Sequence, residues 1–209
     1  MTDQELFDLV RPYTSSPQER VNAMISALRK IEAEKIHGDV VECGVWRGGN
    51  IMLARMIAPD RICWLYDTFS GMTRPGPEDK RRDGGPAMDR FSTGAPWCAS
   101  SIPKVRNYLT LTGTLDDEKL RFVEGDVCET LMDRANLPDR ISILRLDTDW
   151  YKSTKVELEV LYPRLVPGGV LIIDDYGHWQ GARKAVDEYF GKVDLTKIDY
   201  SCVQMVKPC

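Results

Sequence analysis

Four aspartates fall in two short segments, Leu146-Asp147-Thr148-Asp149 and Ile173-Asp174-Asp175, each at the end of an apolar run. Carboxylates placed this way can hold a hard divalent cation through oxygen or take a proton from a hydroxyl. Three more acids occupy comparable places. Glu42 lies in Asp39-Val40-Val41-Glu42-Cys43, Asp67 ends Arg61-Ile62-Cys63-Trp64-Leu65-Tyr66, and Asp126 follows Arg121-Phe122-Val123-Glu124-Gly125. One acidic strand end would be ordinary, because Asp also favours turns and helix caps. Five such ends predict a polar edge suited to a metal or a hydroxyl-rich ligand.

These acids need a scaffold that brings strand ends together. Apolar runs predict strands at 39–43, 61–66, 121–124, 141–146, 170–173 and 200–206. Helical spacing predicts helices at 17–35, 50–57, 103–111, 130–135, 154–165 and 181–190. The first should open on Ser16-Pro17-Gln18-Glu19, read as a capping box. The 154–165 helix should close at Pro167-Gly168-Gly169. Alternating strands and helices, with continuous apolar strands, predict an α/β fold with a mainly parallel sheet covered on both faces. Ligands of such sheets bind beyond the carboxyl ends of the strands. Residues 1–15 carry no clear pattern. Residues 69–101 are rich in Gly, Pro and charge without periodicity, and read as a partly ordered lid with a short helix near 86–91. The expected organisation is one domain over 1–209, with a helical N-terminal segment at 1–36 and the lid inserted.

Bulk properties narrow the function classes. The chain has 209 residues, 43% hydrophobic and 29% charged, with net charge -4. A mildly acidic chain without a long basic run argues against nucleic acid or an anionic membrane as partner. No segment approaches the ~20 apolar residues of a membrane span. Six cysteines without a Cys-x-x-Cys pair, and only two histidines, argue against a structural zinc site. Reduced thiols and an acidic, polar start predict a cytoplasmic protein.

Gly44-Val45-Trp46-Arg47-Gly48-Gly49, between the first strand and its helix, suggests a nucleotide-like cofactor. The glycine spacing is not that of a dinucleotide fingerprint, and no phosphate loop is present. An acidic residue before the turn suits a cationic cofactor better. S-adenosylmethionine carries a sulfonium and an α-ammonium, which fit Glu42. Asp67 could accept from its ribose hydroxyls, and Asp126 could meet its adenine amine. A nicotinamide cofactor is the competing reading.

Together these segments resemble the macrocin-type sugar O-methyltransferases of antibiotic biosynthesis. The matching residues include Tyr13-Thr14, Glu19-Arg20, the stretch from Val41 to Gly49, and Asp67-Thr68-Phe69-Ser70-Gly71-Met72. They continue through Val123 to Val127, Leu144 to Lys155, Leu161 to Gly177, and Gly181 to Val186. The resemblance implies a Rossmann-like class I methyltransferase with a seven-stranded, mostly parallel sheet whose last strand is antiparallel. It implies S-adenosyl-L-methionine bound around Glu42, Gly44, Asp67, Thr68, Ser70, Asp126 and Asp147. It implies Mg2+ on Asp147, Asp174 and Asp175, with Asp149 as general base. His178, three residues after Asp175, is an alternative base. Magnesium prefers oxygen ligands and keeps open positions, which suits two hydroxyls of a diol. The expected partner is a small-molecule hydroxyl acceptor, a sugar or glycosylated natural product, and the protein is expected to self-associate. Trp46, Trp150 and Trp179 could line the acceptor pocket. A catechol-type O-methyltransferase and a non-catalytic cofactor-binding scaffold are the alternatives.

Overall fold

The computed structural model describes residues 1–208. Seven strands form one sheet in the order β3-β2-β1-β4-β5-β7-β6. They are β1 (Asp39–Cys43), β2 (Cys63–Asp67), β3 (Leu120–Glu124), β4 (Ile141–Leu146), β5 (Leu165–Ile173), β6 (Thr196–Lys197) and β7 (Val203–Val206). The first five are parallel, and β7 runs antiparallel between β5 and β6. The helices are α1 (Asp3–Val10), α2 (Gln18–Ala33), α3 (Gly49–Ile57), α4 (Met88–Phe91), α5 (Ile102–Leu111), α6 (Val127–Thr130), α7 (Tyr151–Val160) and α8 (Gln180–Phe190).

Successive strand residues point to opposite faces, so each central strand feeds two cores. Val40, Ile143, Val170 and Ile172 enter one core with α1, α2, α3 and α5. Val41, Leu144, Leu146, Leu171 and Ile173 enter the other, against α7 and α8. This explains why the strands read as unbroken apolar runs. Helix α2 buries Val21, Met24, Ile25, Leu28 and Ile31 as one stripe, as its spacing predicted.

Several boundaries differ from expectation, each for a local reason. The capping box is not at Ser16. Pro17 takes the cap position of α2 without a side-chain bond, and the Ser16 hydroxyl instead accepts from Arg145 Nη2 at 3.2 Å. A buried guanidinium needs acceptors more than an exposed helix start needs a cap. The capping box that does form joins Thr2 and Glu5 and starts α1, in the segment that carried no clear pattern. The helix expected at 130–135 is split. Asp126 caps α6 and Asp133 caps a 3₁₀ turn at Arg134–Asn136. Helix α7 starts and ends earlier than expected, and β5 already begins at Leu165. Pro167 and Gly168 lie inside β5, beside a register irregularity where a proline without an N–H is tolerated. The edge strand β6 is too short for any periodicity to announce it.

The segment between β2 and α5 is held at several points. Bridges join Lys80 to Pro86 and Arg81 to Trp179, and the Gln180 N–H donates to the Lys80 carbonyl at 2.8 Å. Trp97, Trp150 and Trp179 pack with ring centroids 5.0 to 6.1 Å apart, and the Trp150 indole donates to the Thr73 carbonyl at 3.0 Å. No helix among the described residues is long and apolar enough to cross a membrane. Cys43, Cys63, Cys98, Cys128 and Cys202 are free thiols.

Candidate active site

Sheet register assembles the site. Cys43 of β1 lies beside Leu146 of β4, and Leu146 beside Ile173 of β5. The ladder continues one residue past each strand. The Asp147 N–H donates to the Cys43 carbonyl at 2.8 Å and the Asp174 N–H to the Leu146 carbonyl at 2.9 Å. Gly44, Asp147 and Asp174 therefore stand in a row. Gly44 has φ +87, and a Cβ there would overlap the Asp147 carbonyl oxygen. Only glycine satisfies both constraints. Gly44→Ala is expected to cost about 1–3 kcal/mol from conformation alone. It should also weaken cofactor binding, because the displaced Asp147 lines the same cleft. Urea unfolding and calorimetry on the variant check both.

The row borders a cleft of about 940 Å³, open solvent at its mouth included. Across the sheet order, its lining from the ends of β1, β2 and β3 includes Gly44, Asp67, Thr68, Gly125, Asp126 and Val127, and that from the ends of β4 and β5 includes Asp147, Asp149, Asp174 and Asp175; Arg20, Met72, Thr73 and Cys98 also line it. Asp67 is more heavily engaged than expected. Its carboxylate accepts from the Val45, Trp46 and Phe69 N–H groups at 2.8 to 2.9 Å, so it also fixes the glycine turn. Asp126 accepts from the Cys128 N–H at 2.9 Å.

Carboxylate oxygens of Asp147, Asp149 and Asp175 lie within 4.8 Å of one another. Burial and neighbouring carboxylates push the proton affinity of Asp147 and Asp175 upward. Burial pushes Asp149 up to about 7. Asp149 has φ +70, and the Trp150 N–H bonds back to the Thr148 carbonyl at 2.8 Å across it. That is a γ-turn with positive φ at its centre, a rare and strained conformation.

Asp174 stands differently. One of its oxygens accepts from Arg145 Nη2 at 2.5 Å and the other from Arg20 Nη1. Arg145, 3% exposed at its side chain, also donates to Glu42 Oε1 at 2.9 Å and Asp147 Oδ2 at 2.7 Å. Arg20 reaches in from α2 and also pairs with Asp199 at 2.6 Å. Glu42 is buried behind the row and does not line the cleft. Its Oε1 also accepts from Asn50 at 2.8 Å, while its Oε2 has no partner. Burial pushes its carboxyl up to about 7.

Of the residues singled out in the sequence, the cleft gathers Gly44, Asp67, Thr68, Asp126, Asp147, Asp149, Asp174 and Asp175. It does not gather Glu42, Ser70 or His178. Ser70 is exposed. His178 is half-buried, with Nδ1 3.4 Å from the Tyr200 hydroxyl. Burial and the nearby Arg20 lower its pKa. Of the three tryptophans, only Trp46 lines the cleft; Trp150 and Trp179 are buried in the indole cluster. Sequence reasoning gave no role to Arg20, Arg145, Asp79 or Glu157. Arg145 had a signal, since a charge inside the apolar run Ile141-Ser142-Ile143-Leu144-Arg145-Leu146 demands buried partners. Glu157 is fully buried under the acidic loop, accepts from the Thr148 hydroxyl at 2.8 Å, and is pushed up to about 8 by burial.

This strand order, with its antiparallel β7 and a cleft across the strand ends, defines a class I, Rossmann-like methyltransferase. The solved O-methyltransferase NovP superposes with a TM-score of 0.82 at 31% identity, over 94% of this chain and 83% of that one. The calicheamicin methyltransferase CalS11 shares the fold, with a TM-score of 0.62 at 19% identity over 98% of this chain and 90% of that one. The macrocin O-methyltransferase family profile matches residues 10–207. The chain is 33% identical over 183 residues to demethyldecarbamoylnovobiocin O-methyltransferase of Streptomyces niveus, covering 84% of this chain and 67% of that enzyme. It is 34% identical to mycinamicin III 3''-O-methyltransferase of Micromonospora griseorubida, covering 85% and 70%. The chain belongs to the macrocin O-methyltransferase family and is an O-methyltransferase.

Proposed function

We propose that this enzyme transfers the methyl group of S-adenosylmethionine to a hydroxyl of a sugar, or of a glycosylated natural product, with the help of Mg2+. The observation that carries the reading is the row of strand ends. It sets three converging carboxylates beside a cleft that the glycine turn, Asp67 and Asp126 also line. Relatives named for methylating a novobiocin precursor and mycinamicin III support the acceptor class.

Both absent groups fit the donor set. Arg145 and Arg20 pair with Glu42, Asp147 and Asp174 but not with Asp149 or Asp175, so the site is short of positive charge. Asp67 and Asp147, which line the cleft beside the glycine turn, suit the hydroxyls and the cationic groups of the cofactor, while Glu42 and its orphaned Oε2 add negative charge from behind the row. Asp147 and Asp175 would hold the metal. Asp174, already bonded to two arginines, would brace them from the side. The cofactor would supply an electrophilic methyl group, and the ion would acidify a bound hydroxyl. Asp149 takes the acceptor's proton, and the rigid strand ends hold it in place.

The test is methyl transfer from S-adenosylmethionine across a panel of glycosides and catechols. Turnover should favour a glycoside, disappear after EDTA treatment and return with added Mg2+. Undiminished turnover after EDTA would overturn the metal role. Preference for catechols would overturn the acceptor class.

A further inference from the structure

Asp79 lies in the segment between β2 and α5, 72 residues before the helix it touches. It is 2% exposed, with no arginine or lysine in hydrogen-bond contact. Its Oδ1 accepts from the Tyr151 N–H at 2.8 Å, at the first residue of α7. Its Oδ2 accepts from the Gly76 N–H at 2.6 Å, closing the turn that carries it. The same carboxylate packs on the first turn of α8, where a Cβ on Gly181 would overlap Asp79 Oδ1.

Neither α7 nor α8 has a side-chain cap of its own. One carboxylate from a distant segment therefore serves the start of α7 and lies against the start of α8. Helix N-termini favour negative charge, which helps a buried carboxylate persist there. These two helices are the ones that leave the acidic strand ends. Helix α7 follows Asp147-Thr148-Asp149 at once, and α8 follows Asp174-Asp175 after a short turn. The Tyr151 N–H is two residues from Asp149, at the exit of its strained γ-turn. Strain of this kind persists only where surrounding contacts hold it. Glu157 holds the Thr148 side of the turn, and Asp79 holds the Tyr151 side.

We propose that Asp79 is a positioning residue, whose carboxylate clamps the turn carrying Asp149 and ties the 69–101 segment to both helices that leave the acidic strand ends. The inference rests on the role given to Asp149 above. It acts on proton removal and leaves the lining from the ends of β1, β2 and β3 alone. A misplacement of about 1 Å can cost about a hundredfold in rate, so loss of the clamp should appear in kcat.

The experiment measures kcat per cofactor-binding site, the acceptor KM and the affinity for S-adenosylhomocysteine in Asp79→Ala, Asp79→Asn and Asp79→Glu. Asp149→Asn is measured alongside. Counting binding sites removes any loss of folded protein from the rate. Asp79→Ala should lose about tenfold or more in kcat with cofactor affinity within about twofold of the parent. Asp79→Asn should recover most of that loss, because its amide oxygen still accepts from the Tyr151 N–H, and only the bond from the Gly76 N–H, within its own turn, is given up. Asp79→Glu carries the same charge one methylene further and should behave like Asp79→Ala. If Asp79→Ala yields no folded protein, Asp79→Glu against Asp79→Asn decides, and equal turnover in those two overturns the proposal. So does an unchanged kcat in Asp79→Ala, or a loss confined to cofactor affinity. Should Asp149→Asn keep full activity, the role of Asp149 falls and the clamp with it. If Asp149→Asn is inactive while Asp79→Ala is not, only the clamp is wrong.

Discussion

Asp149→Asn should lower kcat by about 10²- to 10⁴-fold while leaving the affinity for S-adenosylhomocysteine nearly unchanged. The substitution keeps the size and shape of the side chain and removes its negative charge, and with it its ability to take a proton. The Asp149 carboxyl is pushed up to about 7 by burial, which raises its basicity when ionised. It sits at the centre of the γ-turn, in the cleft lining beside Asp147 and Asp175. Gly44, Asp67 and Asp126, at the ends of β1, β2 and β3, are untouched. Single-turnover methyl transfer and calorimetry separate the two effects. Full turnover in Asp149→Asn, together with an inactive His178→Ala, would move the base to His178. The geometry opposes that outcome, because His178 does not line the cleft.

Arg145→Met should lower the unfolding free energy by about 3–5 kcal/mol, the cost typical of removing one partner from a buried ion pair. Three carboxylates, on Glu42, Asp147 and Asp174, bond to this one guanidinium. Methionine of similar length fills the space without pairing them. For a chain of this size the melting midpoint should fall by about 10 °C. The deficit should also depend on pH. Even beside Arg145, burial pushes Glu42 up to about 7 from an ordinary value of 4.5. A carboxyl whose folded pKa is raised contributes its stability below the unfolded pKa and loses it as pH rises through the folded pKa. Without Arg145 the carboxyl is pushed higher still, so the deficit should be larger at pH 8 than at pH 5. Urea unfolding at both pH values decides this. A deficit that is equal at both, or larger at pH 5, would show that the guanidinium does not neutralise these acids.

The parts of the fold that were legible were those in which neighbouring residues share one environment. Ile141 to Leu146 are buried together on both sheet faces, so the run announces a central strand. The stripe of α2 repeats because one helical face meets one core. The acidic strand ends were legible for a related reason, since strand and following residue are fixed by the same ladder. Pairings across the chain were not. Arg145 meets Ser16, 129 residues away, and Arg20 meets Asp174, 154 residues away. Nothing local at Ser16 says that its hydroxyl faces a buried cation and does not cap α2. Asp174 looked as free as Asp175 in the sequence, because only the folded register brings two arginines to it. Asp79 sits among glycines, prolines and charges with no period to mark it. Its burial depends on Gly181 leaving room on another helix.

The seam between Gly44 and Asp147 bears on how such a chain can diversify. The glycine turn after β1 and the acidic loop after β4 touch backbone to backbone, with no side chain between them to vary. Changes at these strand ends would disturb the glycine turn and the carboxylate row together. Residues 69–101 reach the cleft through Gly71, Met72, Thr73 and Cys98, while Asp79 and the indole cluster secure the rest of the segment. Substitutions at Gly71, Met72, Thr73 and Cys98 can therefore reshape the cleft wall while its moorings stay in place.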